Sequence, residues 1–508
     1  MLNETGTHVR LGRNLIGGVL HVAWSAVASL VAVPIYLKYL GFEAYGLVGF
    51  FTVTQSLLTV LDFGLAPTVN REVARYSALG RMNDAANLLH TLAVVYWTVA
   101  ALIGLVFASG AGIIARHWLQ SSHLPLYVIT NALMLMGFVI ACQWPLGLYQ
   151  GALMGAERLT TSSAINVAMV TLEHGGAICI LAFVSPTITA FFIWQAAVGL
   201  AQTATMRYAA WRVLGRAANV RFDLAELKRT WRFSAGVSGI ALSALVLMQT
   251  DKVLVSRILT LEDFGRYMLA SLIASGLYVI LSPAFNAIYP RMSGLVSSGN
   301  TSELVELYRS GTRLLVGFIF SVGITGIVFS RDFVALWTRD PRTASSVAPI
   351  VSLFLIGTML NGAMHFPYAL QLAYGATGLP LKINMILISA FVPMVIVLAE
   401  RFGAAGGAAA WAILNCLYLF IGTWLTHRSL LKGIGARWLV YDVARPLGLA
   451  VLIAGLGGAI VRSLEHQELI RVCIGTTLAL VSFASTVLFS PGLLASLKWR
   501  EFLSDTVR

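Results

Sequence analysis

Long apolar stretches separated by short polar connections recur along the whole chain. Each stretch is about 20 residues or longer, which in a helix matches the ~30 Å hydrocarbon core of a bilayer. Runs such as 242–255 and 447–461 lack the alternation of apolar and polar residues that a membrane β-barrel requires. Because backbone polar groups must be satisfied inside lipid, the pattern predicts an all-α polytopic membrane protein.

These stretches predict fourteen membrane spans. Breaks in the helical pattern, such as Pro186 and residues 375–380, set boundaries between neighbouring spans. The first stretch follows Arg10 and Arg13, but it is too long for a signal peptide, so we expect it to remain as the first helix. The predicted spans are residues 14–38, 44–69, 88–109, 125–150, 160–184, 187–208, 233–258, 267–290, 310–330, 347–374, 380–399, 404–426, 440–462 and 470–490.

Lys and Arg residues are distributed unevenly between the two sides of this bundle. With the N-terminus inside, the segments on that side hold 24 of the 35 basic residues, and the connection 207–232 alone holds seven. Positive charge accumulates on the cytoplasmic side, so both termini are predicted to be cytoplasmic. The net charge of +13 then reflects topology and contact with anionic lipids, and nucleic acid is not an expected partner.

The same basic connection predicts a short helix at the membrane surface. Asp223 and Glu226 have the spacing of a capping box, and Phe222 and Leu227 occupy the positions of a hydrophobic staple. Apolar residues then line one face and cations cover the rest, a pattern typical of helices that lie along headgroups. We interpret residues 209–232 as a cytoplasmic linker with an interfacial helix.

An internal repeat relates the two halves of the chain at one constant offset, which takes Glu43 to Glu262 and Gly80 to Gly299. At the same offset the segment 41–46 aligns with the segment 260–265. An even number of spans separates the halves, so both have the same orientation in the membrane, as in a parallel repeat.

The repeat predicts the domain organisation. Residues 1–208 are expected to form one six-helix lobe and residues 233–427 a second one. Residues 428–508 then supply two additional transmembrane helices and a cytoplasmic tail. Two such lobes can rock about a central gap, which is how transporters with alternating access work.

The sequence offers little support for an enzyme. It contains no Gly-Lys pair, and therefore no phosphate-binding Walker loop, and no His-Glu-x-x-His or Gly-x-Ser-x-Gly motif. The four cysteines have neither zinc-binding nor disulfide-framework spacing. We therefore predict no enzymatic activity, no cofactor and no metal site.

Several segments resemble a known family. Residues 34–46 (PIYLKYLGFEAYG), followed by LDFGL at 61–65 and NRE at 70–72, are similar to the start of O-antigen and polysaccharide-repeat-unit flippases. In the second half, residues 251–252 (DK) and 264–270 (FGRYMLA) resemble the same family's motif of Asp plus a basic residue, then Gly-x-Tyr-x-x-Ala. The fourteen-span layout agrees with this multidrug/oligosaccharidyl-lipid/polysaccharide superfamily.

The resemblance implies a function. Such proteins move an undecaprenyl-diphosphate-linked oligosaccharide across the bacterial inner membrane for O-antigen, capsule or exopolysaccharide synthesis. Coupling to a proton or sodium gradient is often inferred for them, and a polysaccharide polymerase and a chain-length regulator are further implied partners. The alternatives are a cation-coupled multidrug or small-molecule antiporter of the same superfamily and, less favoured, a membrane glycosyltransferase or polymerase.

Ionisable residues inside the predicted spans are candidates for ion coupling or gating, because their insertion into lipid is costly. Glu173 and His174 lie near the middle of the fifth span, where a proton-carrying role competes with a structural hydrogen bond. Asp251 and Lys252 are helical neighbours ~100° apart, so each is expected to have a separate partner. His365 lies within the tenth span, where simple packing is an alternative.

The remaining candidates lie toward the ends of spans. Asp62 and Arg71 lie toward the cytoplasmic end of the second span, and Arg291 follows the eighth. Arg257 lies near the outer end of the seventh span. With Lys252, the three arginines are candidate partners of a diphosphate, although anchoring at the headgroups is an alternative. Asp62 joins the candidates for ion coupling.

Overall fold

The computed structural model of the protein describes residues 4–215, 221–464 and 467–489. In these ranges all regular structure is helical, apart from one isolated bridge between Gln120 and Thr260. Ten helical segments of the described chain are long and apolar enough to cross a bilayer, so this is a multi-pass membrane protein. The predicted all-α polytopic fold is confirmed.

Seven of the described helices precede the basic connection. The first contains the first predicted span and most of the second, and it is broken at Gly41, whose φ of 75° costs glycine little. The absence of a Cβ there lets the chain leave the helical path between the two spans. These helices are α1 (Glu4–Leu58), α2 (Leu65–Ala78), α3 (Met82–His117), α4 (Leu126–Gln143), α5 (Leu146–Gly155), α6 (Leu159–Phe183) and α7 (Ile188–Leu214).

The other described helices follow the basic connection. Helix α15 is broken at Gly403, with a φ of 61°, as α1 is at its glycine. Two short π-helical segments, Tyr418–Gly422 and Trp438–Ala444, lie between α15 and α18. The helices are α8 (Leu224–Ile258), α9 (Leu261–Ser275), α10 (Leu281–Ser297), α11 (Thr301–Val328), α12 (Ser330–Thr338), α13 (Pro341–Ala363), α14 (His365–Ala373), α15 (Gly378–Leu417), α16 (Thr423–Ser429), α17 (Gly435–Arg437), α18 (Arg445–Leu464) and α19 (Glu468–Leu488).

Each predicted span overlaps a helix of the described chain. Two of the ten membrane-length segments, Leu20–Asp62 and Gly378–Ser429, each contain two predicted spans. The sixth and seventh predicted spans fall on α7 and α8. The ten segments together with α7 and α8 therefore account for the fourteen predicted spans.

The predicted surface helix is part of a longer one. Helix α8 begins at Leu224, directly after the predicted N-cap Asp223, and continues through the whole seventh span to Ile258. The expectation of a separate short helix was therefore wrong. Helix formation is cooperative and no proline interrupts this stretch, so the helix extends from the connection into the membrane span.

The helix boundaries reproduce the internal repeat. The repeat offset takes the start of α3 to the start of α11, and the start of α6 to the start of α15. Gly80 and Gly299, which the repeat aligns, both have left-handed φ values, of 66° and 71°, just before α3 and α11. The second span of each half is interrupted by a 3₁₀ turn, at Thr59–Asp62 and Gly276–Ile280.

The described chain forms two compact units. The first extends to Leu242 and includes Thr260–Gly265, and the second contains the rest. Within the first unit, α3 packs on α4, α1 on α6, and α2 on α5. Within the second, α13 packs on α15, and α11 packs on α13, α18 and α19, so the two C-terminal helices belong to that unit. The domain boundaries at residues 208, 232 and 427 stay a prediction.

Glu43 gives the motif at residues 41–46 a structural role. Its buried carboxylate accepts hydrogen bonds from the Ser121 hydroxyl at 2.7 Å and from the N–H groups of residues 122–124 at 2.6–3.2 Å. These bonds hold the break in α1 against the connection between α3 and α4. The burial of this carboxylate is thus compensated by donors from a distant part of the sequence.

Gly46 allows a close approach of two backbones in the first unit. A Cβ added at this position would contact the carbonyl oxygen of Leu261 and would lie 3.5 Å from the backbone nitrogen of Gly265. Gly265, its partner in the repeat, packs in the same way against the carbonyl of Phe42. The aligned glycines are therefore needed for packing.

We expect Gly46→Ala to lower the free energy of unfolding by ~1–3 kcal/mol, because the added methyl group forces the backbones apart. A lower melting temperature in detergent would report this loss. Gly110→Ala is the matched control, since nothing lies within 4 Å of the position its Cβ would take. Equal melting temperatures for the two variants would contradict the packing role.

Candidate functional site

Asp251, on α8, is completely buried, with 0% of its surface exposed. Its Oδ2 accepts a hydrogen bond of 2.7 Å from the hydroxyl of Tyr267, which is equally buried on α9. The Nζ of Lys252 lies 3.4 Å from its Oδ1. A buried charge without such partners costs several kcal/mol, so these two groups allow the carboxylate to remain inside the second unit.

Lys252 folds back along its own helix. Its Nζ donates to the carbonyl of Met248 at 2.9 Å and lies 5.8 Å from the centre of the Trp411 ring, within cation–π range. Asp251 and Lys252 also pair with each other, which the helical geometry did not predict, because the flexible lysine stem spans the angle between neighbouring positions. Each also has the separate partners that the helical geometry suggests.

Trp411 lies between this pair and the side-chain amides of Asn415, which is buried, and Asn361, which is half-buried. Asn415 Nδ2 donates to the Trp411 carbonyl at 2.8 Å, and Asn361 Nδ2 donates to Asn415 Oδ1 at 2.8 Å. The Nδ1 of His365 lies 3.5 Å from the carbonyl oxygen of Asn361. Contacts therefore run from the Asp251–Lys252 pair on α8 through α15 and α13 to His365 on α14. The step through Trp411 consists of a cation–π contact with its ring and a hydrogen bond to its backbone carbonyl.

This chain of contacts has chemically distinct members. The amides and the indole can exchange hydrogen bonds but stay neutral, whereas Asp251, Lys252 and His365 can change charge. Ionisable groups inside membrane helices are suited to binding a cation, relaying a proton or holding a charged ligand. The second unit therefore contains the more extensive of the two candidate sites.

In the first unit, His174 joins α6 to α1. Its Nδ1 lies 3.0 Å from the Tyr36 hydroxyl and its Nε2 lies 3.3 Å from the Ser29 hydroxyl. The neighbouring Glu173 is half-buried on the same helix. His174 thus makes the interhelical hydrogen bonds that were one of the two sequence-based interpretations. A role of either residue in ion coupling stays a prediction.

Asp62 caps a helix. Its Oδ2 accepts a hydrogen bond from the Ala66 N–H at 3.2 Å, in the first turn of α2, and its Oδ1 accepts one from the Tyr96 hydroxyl. Phe63 and Gly64 both have left-handed φ values, of 47° and 76°, in the turn between the carboxylate and this helix. Negative charge is favoured at a helix N-terminus, so the observed contacts serve the fold.

The three candidate arginines lie on exposed surface. Arg71 Nη2 is 2.6 Å from Glu72 Oε1, and Arg291 Nη2 is 2.9 Å from Glu303 Oε1. Arg257 is exposed in the last turn of α8. Exposed ion pairs contribute ~0–1 kcal/mol to stability, so Arg291 can exchange the half-exposed Glu303 for a phosphate at low cost. Glu72 is buried and also pairs with Arg75, at 3.2 Å, so it keeps a cationic partner if Arg71 turns to a phosphate.

Sequence reasoning overlooked a second buried carboxylate in the second unit. Asp442 is completely buried, accepts a hydrogen bond of 2.7 Å from Arg309 Nε, and lies 3.6 Å from Arg313 Nε. Asp442 could have been identified from the sequence, because an Asp inside the thirteenth predicted span meets the criterion that singled out Asp251. Of its two partners on α11, Arg313 lies within the ninth predicted span and meets the same criterion, whereas Arg309 lies just before that span.

The comparisons with known proteins agree on a family and a fold. The model of a family described as polysaccharide biosynthesis protein matches residues 11–296. A Shigella flexneri protein named as a candidate O-antigen transporter is 23% identical over 420 residues, covering 79% of this chain and 95% of that protein.

Two solved structures share the fold. Lipid II flippase MurJ, in an inward closed conformation, has a TM-score of 0.67 and 14% identity, covering 96% of this chain and 100% of that one. An inward-facing multidrug resistance MATE family transporter of the MOP superfamily has a TM-score of 0.63 and 14% identity, covering 83% of this chain and 97% of that one. At this level of identity the likeness concerns the fold alone.

We expect Tyr267→Phe to destabilise the protein by ~1–3 kcal/mol, because Asp251 then loses its hydroxyl donor while remaining buried. The measurement is thermal unfolding in detergent. Tyr127→Phe is the control, since Tyr127 is 68% exposed. If both variants unfold like the unmodified protein, the hydrogen bond to Asp251 does not support the fold.

Proposed function

The chain belongs to the polysaccharide biosynthesis protein family, and on that premise we propose that it is a flippase for undecaprenyl-diphosphate-linked oligosaccharide repeat units. It moves them across the bacterial inner membrane by alternating access, for the synthesis of O-antigen, capsule or exopolysaccharide. The names of the similar proteins support a cargo of this class, since one is a candidate O-antigen transporter and another a lipid II flippase.

The asymmetry of the Asp251–Lys252 pair carries the proposal. The carboxylate is sealed from the surface, whereas 17% of the Lys252 side chain remains exposed, so the accessible member of the pair is a cation. An anionic diphosphate is attracted to this position, and a cationic drug is repelled by it. This observation favours the flippase over a cation-coupled multidrug antiporter.

The physical task explains why charged groups are needed inside the membrane. Each sugar hydroxyl costs ~4–8 kcal/mol to move from water to hydrocarbon, so an oligosaccharide with about ten hydroxyls faces a barrier of tens of kcal/mol. The diphosphate adds the cost of charge in a bilayer. A protein that supplies polar and cationic partners along the path lowers this barrier, while the prenyl chain stays in lipid.

We assign Lys252, Arg71, Arg257 and Arg291 to binding of the diphosphate or the sugars. Lys252 would act as a point charge at membrane depth, whereas the arginines have the planar fork that suits phosphate oxygens. The exposed positions of Arg71 and Arg291 on α2 and α10 support their access to cargo.

For energy coupling we propose a proton or sodium gradient. The groups assigned to it are Asp62, Glu173, His174, Asp251 and His365. The hydrogen bonds of His174 to α1 and the contacts that join Asp251 to His365 support this assignment, because a change of charge at one end would alter the partners of the other.

The proposed location is the inner membrane, with both termini in the cytoplasm and membrane lipids as constant partners. A polysaccharide polymerase and a chain-length regulator are proposed to receive the flipped units. The excess of Lys and Arg in the connections of one side supports the orientation.

Deletion of the gene tests the function. We expect lipid-linked repeat units to accumulate on the cytoplasmic leaflet, which labelling of sugars in intact and opened vesicles would measure. Complementation with Lys252→Gln should restore transport on the order of tenfold less well, given ~1.5–3 kcal/mol for a charge-assisted hydrogen bond. The control is Lys382→Gln, because Lys382 is an exposed lysine at the start of α15.

Two results would contradict the proposal. One is the appearance of repeat units on the outer leaflet at the normal rate without the protein. The other is resistance to cationic drugs that depends on the protein while the distribution of repeat units does not change, which would favour the antiporter.

Topology can be tested with alkaline phosphatase, which is active only outside the cytoplasm. A fusion after Ser185, between α6 and α7, should be active, because this connection is predicted to lie outside. A fusion after Lys432, between α16 and α17, should be inactive. The reverse pattern would invert the orientation deduced from the basic residues.

A further inference from the structure

A cavity of about 590 Å³ lies in the second unit beside α16 and α17. It is formed where α16 ends at Ser429 and the chain turns through Gly433, with a left-handed φ of 84°, toward the second π-helical segment. The turn lies at the end of the membrane-length segment Gly378–Ser429. The residues that line it are Phe420, Thr423, Trp424, His427, Arg428, Lys432, Gly433, Gly435, Ala436 and Leu439.

Two exposed cations and two exposed aromatic rings lie side by side in the lining of this cavity. Arg428 and Lys432 are exposed, and the Arg428 guanidinium lies 5.3 Å from the centre of the Trp424 ring. Among the described residues, no carboxylate lies within ion-pair distance of either cation. Phe420 and Trp424 are 54% and 58% exposed, so apolar surface adjoins the positive charge.

The floor of the cavity consists of buried side chains that contact one another. The buried ring of His427 lies 2.9 Å, by its Nε2, from the Tyr308 hydroxyl, and Tyr308 stacks on Trp438 with 5.9 Å between ring centres. Behind this stack, Asp442 is held by Arg309. The nearby carboxylate is therefore occupied, and the cations at the mouth are left for an external anion.

The cationic pair is not part of the internal repeat. At the repeat offset, Ala209 and Val213 occupy the positions of Arg428 and Lys432. The two cations are therefore specific to the second half, although the aligned end of α7 in the first unit also has a cavity, which Arg207 and Trp211 line.

We propose that this cavity binds the phosphate group of an anionic phospholipid from the cytoplasmic leaflet. Arg428 and Lys432 contact the phosphate, and Trp424 and Phe420 contact the glycerol and the upper acyl chains. Basic pockets at helix ends on the cytoplasmic side are suited to lipid headgroups, and tryptophan favours the same depth. The cavity volume falls within the ~300–1,000 Å³ range of small-ligand sites.

Lipid binding at this cavity does not depend on what the protein transports. A bound lipid would connect α16 to α17 and stabilise the folded state by its binding free energy. Its removal would therefore lower the melting temperature even in a protein whose cargo is unknown.

Native mass spectrometry and thermal unfolding of the full chain in detergent test the site. Phosphatidylglycerol should bind and raise the melting temperature, whereas phosphatidylcholine and inorganic phosphate should not. The double variant Arg428→Gln, Lys432→Gln should bind phosphatidylglycerol on the order of 30-fold more weakly, as expected for two charges near the headgroups.

Arg437→Gln is the matched control, because Arg437 is an exposed cation of the same connection that does not line the cavity. If the double variant does not fold, the single variant Lys432→Gln at an exposed position provides the comparison, with a fall of about fivefold expected for one charge.

Three outcomes would overturn the proposal. Unmodified protein would bind phosphatidylglycerol no better than phosphatidylcholine, or the cavity variant would bind it as tightly as the Arg437 control. Alternatively, undecaprenyl diphosphate would bind more tightly than phosphatidylglycerol in a manner that requires Arg428 and Lys432, which would assign the cavity to the cargo. The flipping assay is unaffected by the first two outcomes, so failure here and failure of the proposed function remain distinguishable.

Discussion

Hydrocarbon offers no water to hydrogen-bond a polar group, so each N–H, C=O and charge at membrane depth needs a partner within the protein. Helices provide these partners for the backbone, and breaks occur where glycine permits them, as at Gly41. Buried carboxylates follow the same requirement with different donors. Glu43 accepts hydrogen bonds from backbone N–H groups. Asp251 interacts with a tyrosine and a lysine, and Asp442 with two arginines.

The two halves share this helical scaffold but not its ionisable groups. Helix starts recur at the repeat offset, yet the position that matches Asp251 is Ala32 and the one that matches His174 is Pro393. The two halves therefore carry their ionisable residues at different positions of the repeat. In the first unit they form an imidazole–tyrosine contact beside a carboxylate, and in the second an ion pair linked to buried amides.

Accessible positive charge is a common element of the proposed sites. Lys252 presents it within the membrane, where its carboxylate partner is sealed behind it. Arg428 and Lys432 present it at the end of a span, beside exposed aromatic rings. The low dielectric around Lys252 strengthens its electrostatic attraction for an anion, whereas solvent screens the charges of Arg428 and Lys432. The first position therefore suits a ligand that crosses the bilayer, and the second a headgroup that stays at its surface.

The sequence by itself determined the class of fold, the succession of spans and the repeat, because the hydropathy of a span-length window and glycine at turns are local properties. It also located Asp251, Glu173 and His365, since an ionisable residue in an apolar run stands out. Their partners could not be read in this way. Tyr267 and Trp411 meet the Asp251–Lys252 pair only after the chain has folded back, and lysine flexibility overrode the helical angle between the pair. Which polar groups meet is decided by helix packing, because contacts between distant spans leave no spacing in the sequence.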